Sequence, residues 1–393
     1  MSQRAGLKLA TQERLGRFLT MRATHLWWLG RPLLPRKVVL RHADCREILD
    51  RHDVFRVTYL RRMEQVFGSF MLGWDPDDEP RYEIEHGWLA GALRREDGAR
   101  LAEHARALSE ERVAAGRRAG GLDVVADLAD PVIDDAIGWW FGVRAQQPTA
   151  RPDWARAAFY GVFLNTWGVP PVLERARDGA ARLAAQVAAA AERAEPGDGD
   201  VLARLLASQD AERGLDRDAA VRNLVGLVTA WVPQVSRLLP TALDALLDRK
   251  RELREAQQAA RDGDVARVGA YLWEAARFRS TNPLLPRRAA VEHQLPSGTT
   301  IPAGTSVMAI LQAAMMDPDA LEEPKRFVAG RPDEAYMHFG GGLHRCFGEH
   351  AAKAQLGQMA TVLLACDGLR RARGSQGRVR WAGPFPVGLR VAL

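Results

Sequence analysis

A mainly α-helical protein with small β-sheets is what the sequence predicts, with one long helix at its centre. Three observations carry this. Asp218 to about Leu253 reads as one helix, roughly 50 Å long at 1.5 Å per residue. Two further runs, Arg94 to Arg118 and Trp154 to Arg193, are Ala-rich and amphipathic over most of their length. Strand patterns are few and short: Lys37-Val-Val-Leu-Arg41, and a hairpin over Leu295 to Gly304 followed by Val307 to Leu311.

The chain has 393 residues, 47% hydrophobic and 26% charged, which is ample for a large buried core. No Ser/Gly linker, repeat or low-complexity run marks a boundary, and clusters such as Glu195 to Asp200 are loop-sized, so residues 1–393 read as one domain. The three cysteines, Cys45, Cys346 and Cys366, are odd in number and far apart, which speaks against a disulfide framework and fits a reducing cytoplasm. The start lacks the apolar core of a signal peptide, and Leu26-Trp-Trp-Leu29 is too short to span a bilayer. A cytoplasmic monomer without membrane association is therefore expected. The formal charge is +6 with a pI of about 9.5, but the arginines are scattered without aromatic interleaving. That pattern points to an acidic protein partner, not to nucleic acid.

Taken in order, Ala43 to His52 is a short helix. Val57 to Gly73 carries Tyr59, Met63, Phe67, Phe70 and Met71 and fits either core aromatics or a pocket wall. Asp75 to His86 leads into a helix on which Tyr82 and His86, four apart, share a face. Asp123 to Pro131 and Val132 to Gly142 read as two helices on the core. Trp154 to Arg193 contains Phe159, Tyr160, Phe163, Trp167 and Pro170-Pro171. In the long helix, Pro233 has no N–H and clashes with the carbonyl of Thr229, so a kink is expected there, with a second bend at Pro240. Glu274 and Arg277 are three apart, the spacing of an ion pair on one helix face.

Phe339 to Gly348 reads Phe-Gly-Gly-Gly-Leu-His-Arg-Cys-Phe-Gly. Three glycines let the backbone take positive φ and lie against something flat. The run after Gly348 has helical spacing, which places Cys346 just ahead of a helix N-terminus, where a thiolate is favoured over a thiol. With no second Cys nearby, this suits a single axial ligand to haem iron; an ordinary Gly-rich turn with a buried Cys is the alternative.

The string resembles the haem-binding signature of the cytochrome P450 superfamily at Phe339, Gly342, His344, Cys346 and Gly348, and the resemblance runs from about Lys37 to the C-terminus. It implies the P450 fold, with the long helix over haem b and a small β-rich subdomain drawn mainly from residues 37–60 and 284–310. It implies that Cys346 ligates the iron. His344, Arg287 (or Arg288), Tyr82, His86, Phe339, Gly340 and Gly348 would bind the rest of the cofactor, with Tyr82 and His86 standing where the family usually has His and Arg. Glu274 and Arg277 would form a structural group with Arg326, taken from Pro324-Lys-Arg-Phe327. Phe67, Phe70, Phe163, Trp231, Leu284, Leu285 and Phe385 would line the substrate pocket. The family usually has Asn-Arg before an Asp-Pro, where this chain has Met315-Met316.

The largest departure lies in the long helix. The family's acidic residue and threonine, which pass protons to bound dioxygen, align with Val232 and Pro233, leaving Thr229, Gln234 and Ser236 as the polar groups nearby. The resemblance implies a monooxygenase oxidising an apolar small molecule (a lipid, terpene, aromatic or other secondary metabolite). Its electrons would come through a ferredoxin and its reductase, since the chain has no Gly-x-Gly-x-x-Gly between strand and helix. The missing pair raises the alternative of a peroxide-driven peroxygenase or a hydroperoxide isomerase, needing no redox partner. A non-enzymatic haem sensor or carrier is a more distant reading.

Overall fold

The computed structural model describes residues 36–68, 70–75, 80–144, 150–165, 168–195, 197 and 199–393. Leu26 to Leu29, Trp167 and parts of the 75–80 and 195–200 loops lie outside them.

Two cores organise the chain. The smaller belongs to a four-stranded sheet in the order β1-β7-β4-β2, formed by Arg36–Val39 (β1), Phe55–Arg56 (β2), Leu285–Ala289 (β4) and Ser306–Ala309 (β7). β1 pairs parallel with β7, and β4 antiparallel with β7 and β2. Alternate residues of β7, Val307 and Ala309, turn inward, as a pleated strand with one buried face requires. They meet Cys45, Ile48 and Leu49 of helix α1, His42–Asp50.

The larger core is helical. It gathers α2 (Leu60–Val66), α3 (Arg81–Ala92), α4 (Asp97–Arg118), α5 (Asp130–Trp139), α6 (Arg151–Phe159), α7 (Pro170–Arg193) and α8 (Val201–Ala207) around α9, Arg217–Leu247. Three later helices, α10 (Lys250–Arg261), α11 (Val265–Phe278) and the short α12 (Leu311–Ala314), precede α13, Glu349–Leu364. The 31 residues of α9 span about 46 Å. Asp216 caps its start by accepting from the Ala219 N–H at 2.8 Å.

Some boundaries differ from the sequence expectation. α9 ends at Leu247, six residues early, and α10 begins afresh. Asp248 sits at that C-terminus, where a carboxylate opposes the helix dipole, and Arg279, Arg371 and Arg378 close around it at 2.7–2.9 Å. The helix is unbroken through both prolines, so the bend expected at Pro233 does not interrupt it. Leu122–Asp123 (β3) is a strand end, not a helix, because it pairs with Arg390–Ala392 (β11) and Asp123 caps the turn after it. The Gly383 turn joins two strands, β9 (Arg380–Ala382) and β10 (Phe385–Gly388).

Candidate active site

Cys346 lies where the backbone leaves a loop and enters α13. Its N–H donates to the Phe339 carbonyl at 2.8 Å and closes the loop. Gly340 and Gly342 hold φ of 72° and 58°. At Gly342 a Cβ would stand 2.4 Å from the Leu49 carbonyl oxygen, so only glycine fits against α1. Phe339 is fixed edge-on to Trp273. The cysteine is open to water, yet protein atoms ring it on every side: it sits at the bottom of a cleft. Burial pushes its thiol up to about 11, and the Gly348 N–H bond only partly opposes this. The helix N-terminus favours the thiolate and desolvation opposes it, and a bound cation would hold the sulfur deprotonated.

Behind the loop lies a buried ion-pair network. Glu274 and Arg277, both fully buried, are joined by two bonds of 2.7 and 2.9 Å. Arg277 also donates to the carbonyls of Met315 and Pro324 at 2.8 Å and of Arg326 at 3.2 Å. Glu274 accepts further from the Val328 N–H and the Tyr336 hydroxyl. Here the structure corrects the sequence reading. The Arg326 side chain is exposed and paired with Glu323; the arginine that reaches Glu274, at 3.4 Å, is Arg331. The five-residue difference follows from the segment's path, which turns the Arg326 carbonyl inward and its side chain out.

On the side of β4, Arg287 is 4% exposed, and its guanidinium donates only to the Pro286 carbonyl among the described residues. No carboxylate pairs with it there. Asp75 and Arg287 both act on the buried Tyr59. Asp75 accepts from Nε2 of His344 at 2.9 Å and from the Val57 N–H. Tyr82 stacks on His86 and stands edge-on to His344; burial raises its hydroxyl to about 12, and it donates to the Leu343 carbonyl at a long 3.4 Å. Burial, and then the neighbouring His344, lower the pKa of His86. Arg288 points to solvent. A buried guanidinium with no carboxylate partner among the described residues, together with the Tyr82 and His86 donors and an open thiol, fits the two carboxylates and the iron of haem. Cys346 would hold the metal. Arg287, Tyr82, His86 and the free Nδ1 of His344 would hold the carboxylates, and Phe339, Gly340 and Gly348 would border the ring.

The distal wall is α9. In its middle the residues are nearly all sealed, but Ala230 and Gln234 keep some exposure and Leu227 and Arg237 a little. These four recur every three or four residues and define the face open to the cleft. Val232, at 0% exposed, is turned about 200° from Ala230 and faces the core. The cleft-facing polar groups of the helix are therefore Gln234 and Arg237, not the Val232 position. Gln234 is the uncharged one. Its amide forms two reciprocal bonds with Asn282, at 3.0 and 3.1 Å. Thr229 is fully buried, and its hydroxyl has no partner; Pro233 is buried and cannot supply the Thr229 carbonyl with its usual donor.

The pocket residues divide. Phe163 packs on Tyr59 and Phe159, and Phe385 lies edge-on to Phe159 and Tyr160. Phe67 lines a cavity of about 230 Å³ between α2, α7 and α9, and the tip of the Phe70 ring packs against Gly226. Leu284 is half-buried, whereas Leu285 leans on the small-sheet core, on the other side of the strand. Trp231 packs on Trp140 and Phe141, and its ring is 3.3 Å from where a Gly348 Cβ would be, beside the Cys346 loop. Sequence reasoning missed Asp75, Asn282, Arg331 and Arg237. For Arg237 a signal existed: it is the one basic residue between Arg222 and Arg249 in an apolar helix.

A lone cysteine on a glycine loop, backed by a buried Glu–Arg pair and faced by a long helix, is an arrangement that a haem-thiolate site would require. The family model for cytochrome P450 matches residues 233–366. The chain is 42% identical over 113 residues to Psi-producing oxygenase A of Emericella nidulans and 44% identical over 77 residues to linoleate diol synthase of Gaeumannomyces graminis. These segments cover 28% and 20% of this chain and 10% and 7% of those proteins, so the match spans about a tenth of the relatives' length. The crystal structure of P450BioI in complex with an acyl carrier protein superposes with a TM-score of 0.80 over 95% of this chain and 99% of that one, at 19% identity. Over residues 233–366 the chain is thus similar to the cytochrome P450 superfamily, whose members bind haem b, and its fold is that of a P450 structure.

Proposed function

We propose that the protein is a haem-thiolate oxidoreductase that oxidises an apolar small molecule in the cleft between α9 and the Cys346 loop. The observation that carries this is the loop itself: Cys346 stands alone, open to the cleft, with its backbone tied to Phe339 and its rear held by the Glu274–Arg277 network. Bound at Cys346, haem b supplies activation of dioxygen or peroxide for oxidation of carbon. The protein's own residues hold, orient and shield. Phe163 and Phe385 give the cleft apolar walls, which favour a lipid, terpene or aromatic substrate. Linoleate diol synthase, among the relatives, is named for a fatty acid, which supports the lipid class. A ferredoxin and its reductase would supply electrons, docking on a chain of net charge +6. Among the described residues no helix is long and apolar enough to cross a membrane; a cytoplasmic monomer is the form we propose.

A second reading, use of peroxide, rests on α9. Between Asp218 and Asp244 the helix has no acidic residue, and Gln234, its uncharged polar group on the cleft, is tied to Asn282. Protons for dioxygen would have to come through water, whereas a peroxide brings its own protons and electrons. Carbon monoxide added to the reduced protein should give the absorption of thiolate ligation, and Cys346→Ala should lose it; a variant that keeps the band sinks the assignment. Product formed per NAD(P)H, compared with product formed per added peroxide, separates the two oxidants. Tight coupling to NAD(P)H with no peroxide turnover excludes the second reading.

A further inference from the structure

Arg237 is a buried cation that nothing described so far uses. It lies in the middle of α9, on the cleft-facing stripe with Ala230 and Gln234, and is 8% exposed. One Nη donates to the Thr281 carbonyl, just before β4. Nε is sealed from water and has no acceptor, and the other Nη makes no bond among the described residues. The guanidinium lies 5.9 Å from the centre of the Phe385 ring. Burial alone lowers its pKa, to about 10, with no acidic group acting on it, so it remains charged at neutral pH. The next acid along the helix, Asp244, is taken by Arg279 and Arg371. A buried arginine normally has a carboxylate or several carbonyls around it; this one has one carbonyl and an aromatic face.

The cofactor's own carboxylates do not fill the gap, since the donors that would hold them are Arg287, Tyr82, His86 and His344, and none of these groups acts on Arg237. The cation is one helical turn, about 6 Å, beyond Pro233 along α9. The aromatic group formed by Phe159, Tyr160 and Phe385 stands beside it.

We propose that Arg237 anchors the carboxylate of the substrate, so that the protein takes an amphiphilic acid whose apolar body lies along the Phe385 wall while its charged end pairs with the guanidinium. This rests on the haem-thiolate reading above and narrows it from apolar molecules to apolar carboxylic acids.

The test is direct binding to the haem-loaded protein by calorimetry, with laurate and dodecanol as probes of equal chain length. Laurate is expected to bind about 10- to 100-fold more tightly than the alcohol, the range of a charge-assisted bond formed away from water. Arg237→Gln should erase that preference while keeping haem content and the carbon monoxide band. Arg237→Lys, which keeps charge but loses the planar fork, should retain part of it. Equal affinity of the wild-type protein for both probes, or binding of neither, overturns the proposal. So does a preference that survives both substitutions, or loss of haem from Arg237→Gln, which would make Arg237 a support of the cofactor. Failure of the wild-type protein to give the carbon monoxide band would instead sink the haem-thiolate reading itself.

Discussion

Glu274→Ala offers the sharpest test of how the ligand loop is held. The wild-type carboxylate is fully buried and accepts from Arg277 twice, from the Val328 N–H, from the Tyr336 hydroxyl and from Arg331. Removing it leaves the fully buried Arg277 guanidinium without its counter-charge, although three carbonyls still engage it. Breaking a buried pair in this way costs about 3–5 kcal/mol. At ~2.1 cal/mol/K of unfolding entropy per residue, a chain of 393 residues has about 0.8 kcal/mol/K, so Tm should drop by about 4–6 °C. The assay is thermal unfolding of the haem-loaded protein, with haem content measured alongside. Arg331→Ala should reproduce part of the loss. Arg326→Ala should leave Tm unchanged, because its side chain is on the surface with Glu323. If Glu274→Ala unfolds at the wild-type temperature with full haem, or if Arg326→Ala is the more damaging arginine variant, the reasoning fails.

Two further outcomes follow from the packing. Gly226→Ala places a Cβ 2.3 Å from the Phe70 ring, so it should destabilise by about 1–3 kcal/mol; Phe70→Ala in the same chain should recover most of that, as measured in a double-mutant cycle. His338 is partly buried against the Trp273 carbonyl, and desolvation holds its pKa down to about 4. Between pH 6.5 and pH 4 the unfolded chain binds a proton that the folded chain refuses, so stability falls as pH falls, by about 3 kcal/mol over that window. His338→Phe should flatten the drop in Tm between pH 7 and pH 5; an equally steep drop in both proteins refutes it.

The parts of this molecule that the sequence made legible are those in which one short string carries its own geometry. The Phe339–Gly348 loop is such a string, because its glycines, cysteine and following helix are local. Glu274 and Arg277 were readable for the same reason. What could not be read was the partner arriving from elsewhere. Arg326 and Arg331 are equally arginine in the sequence, and only the path of residues 323–331 decides which side chain turns toward Glu274. On α9 the helix itself was plain, but its rotation was not: Val232 and Gln234 differ by two residues and face nearly opposite ways. Asp75 and His344 are 269 positions apart, and no local pattern announces their bond.

The network behind the cysteine loop is drawn wholly from residues 274 to 336. The aromatic walls opposite come from other stretches, Tyr59 to Phe70, Phe159 to Phe163, and Phe385. Holding the cysteine loop and shaping the aromatic walls are thus written in separate parts of the gene. A lineage can rework those wall stretches while the sulfur stays in place, with Gln234 and Arg237 of α9 left to face the same cleft. That division agrees with a family match confined to residues 233–366 in a chain whose fold superposes over nearly its whole length. For an engineer it sets the order of work: diversify the walls first, and leave the span from Glu274 to Tyr336 untouched.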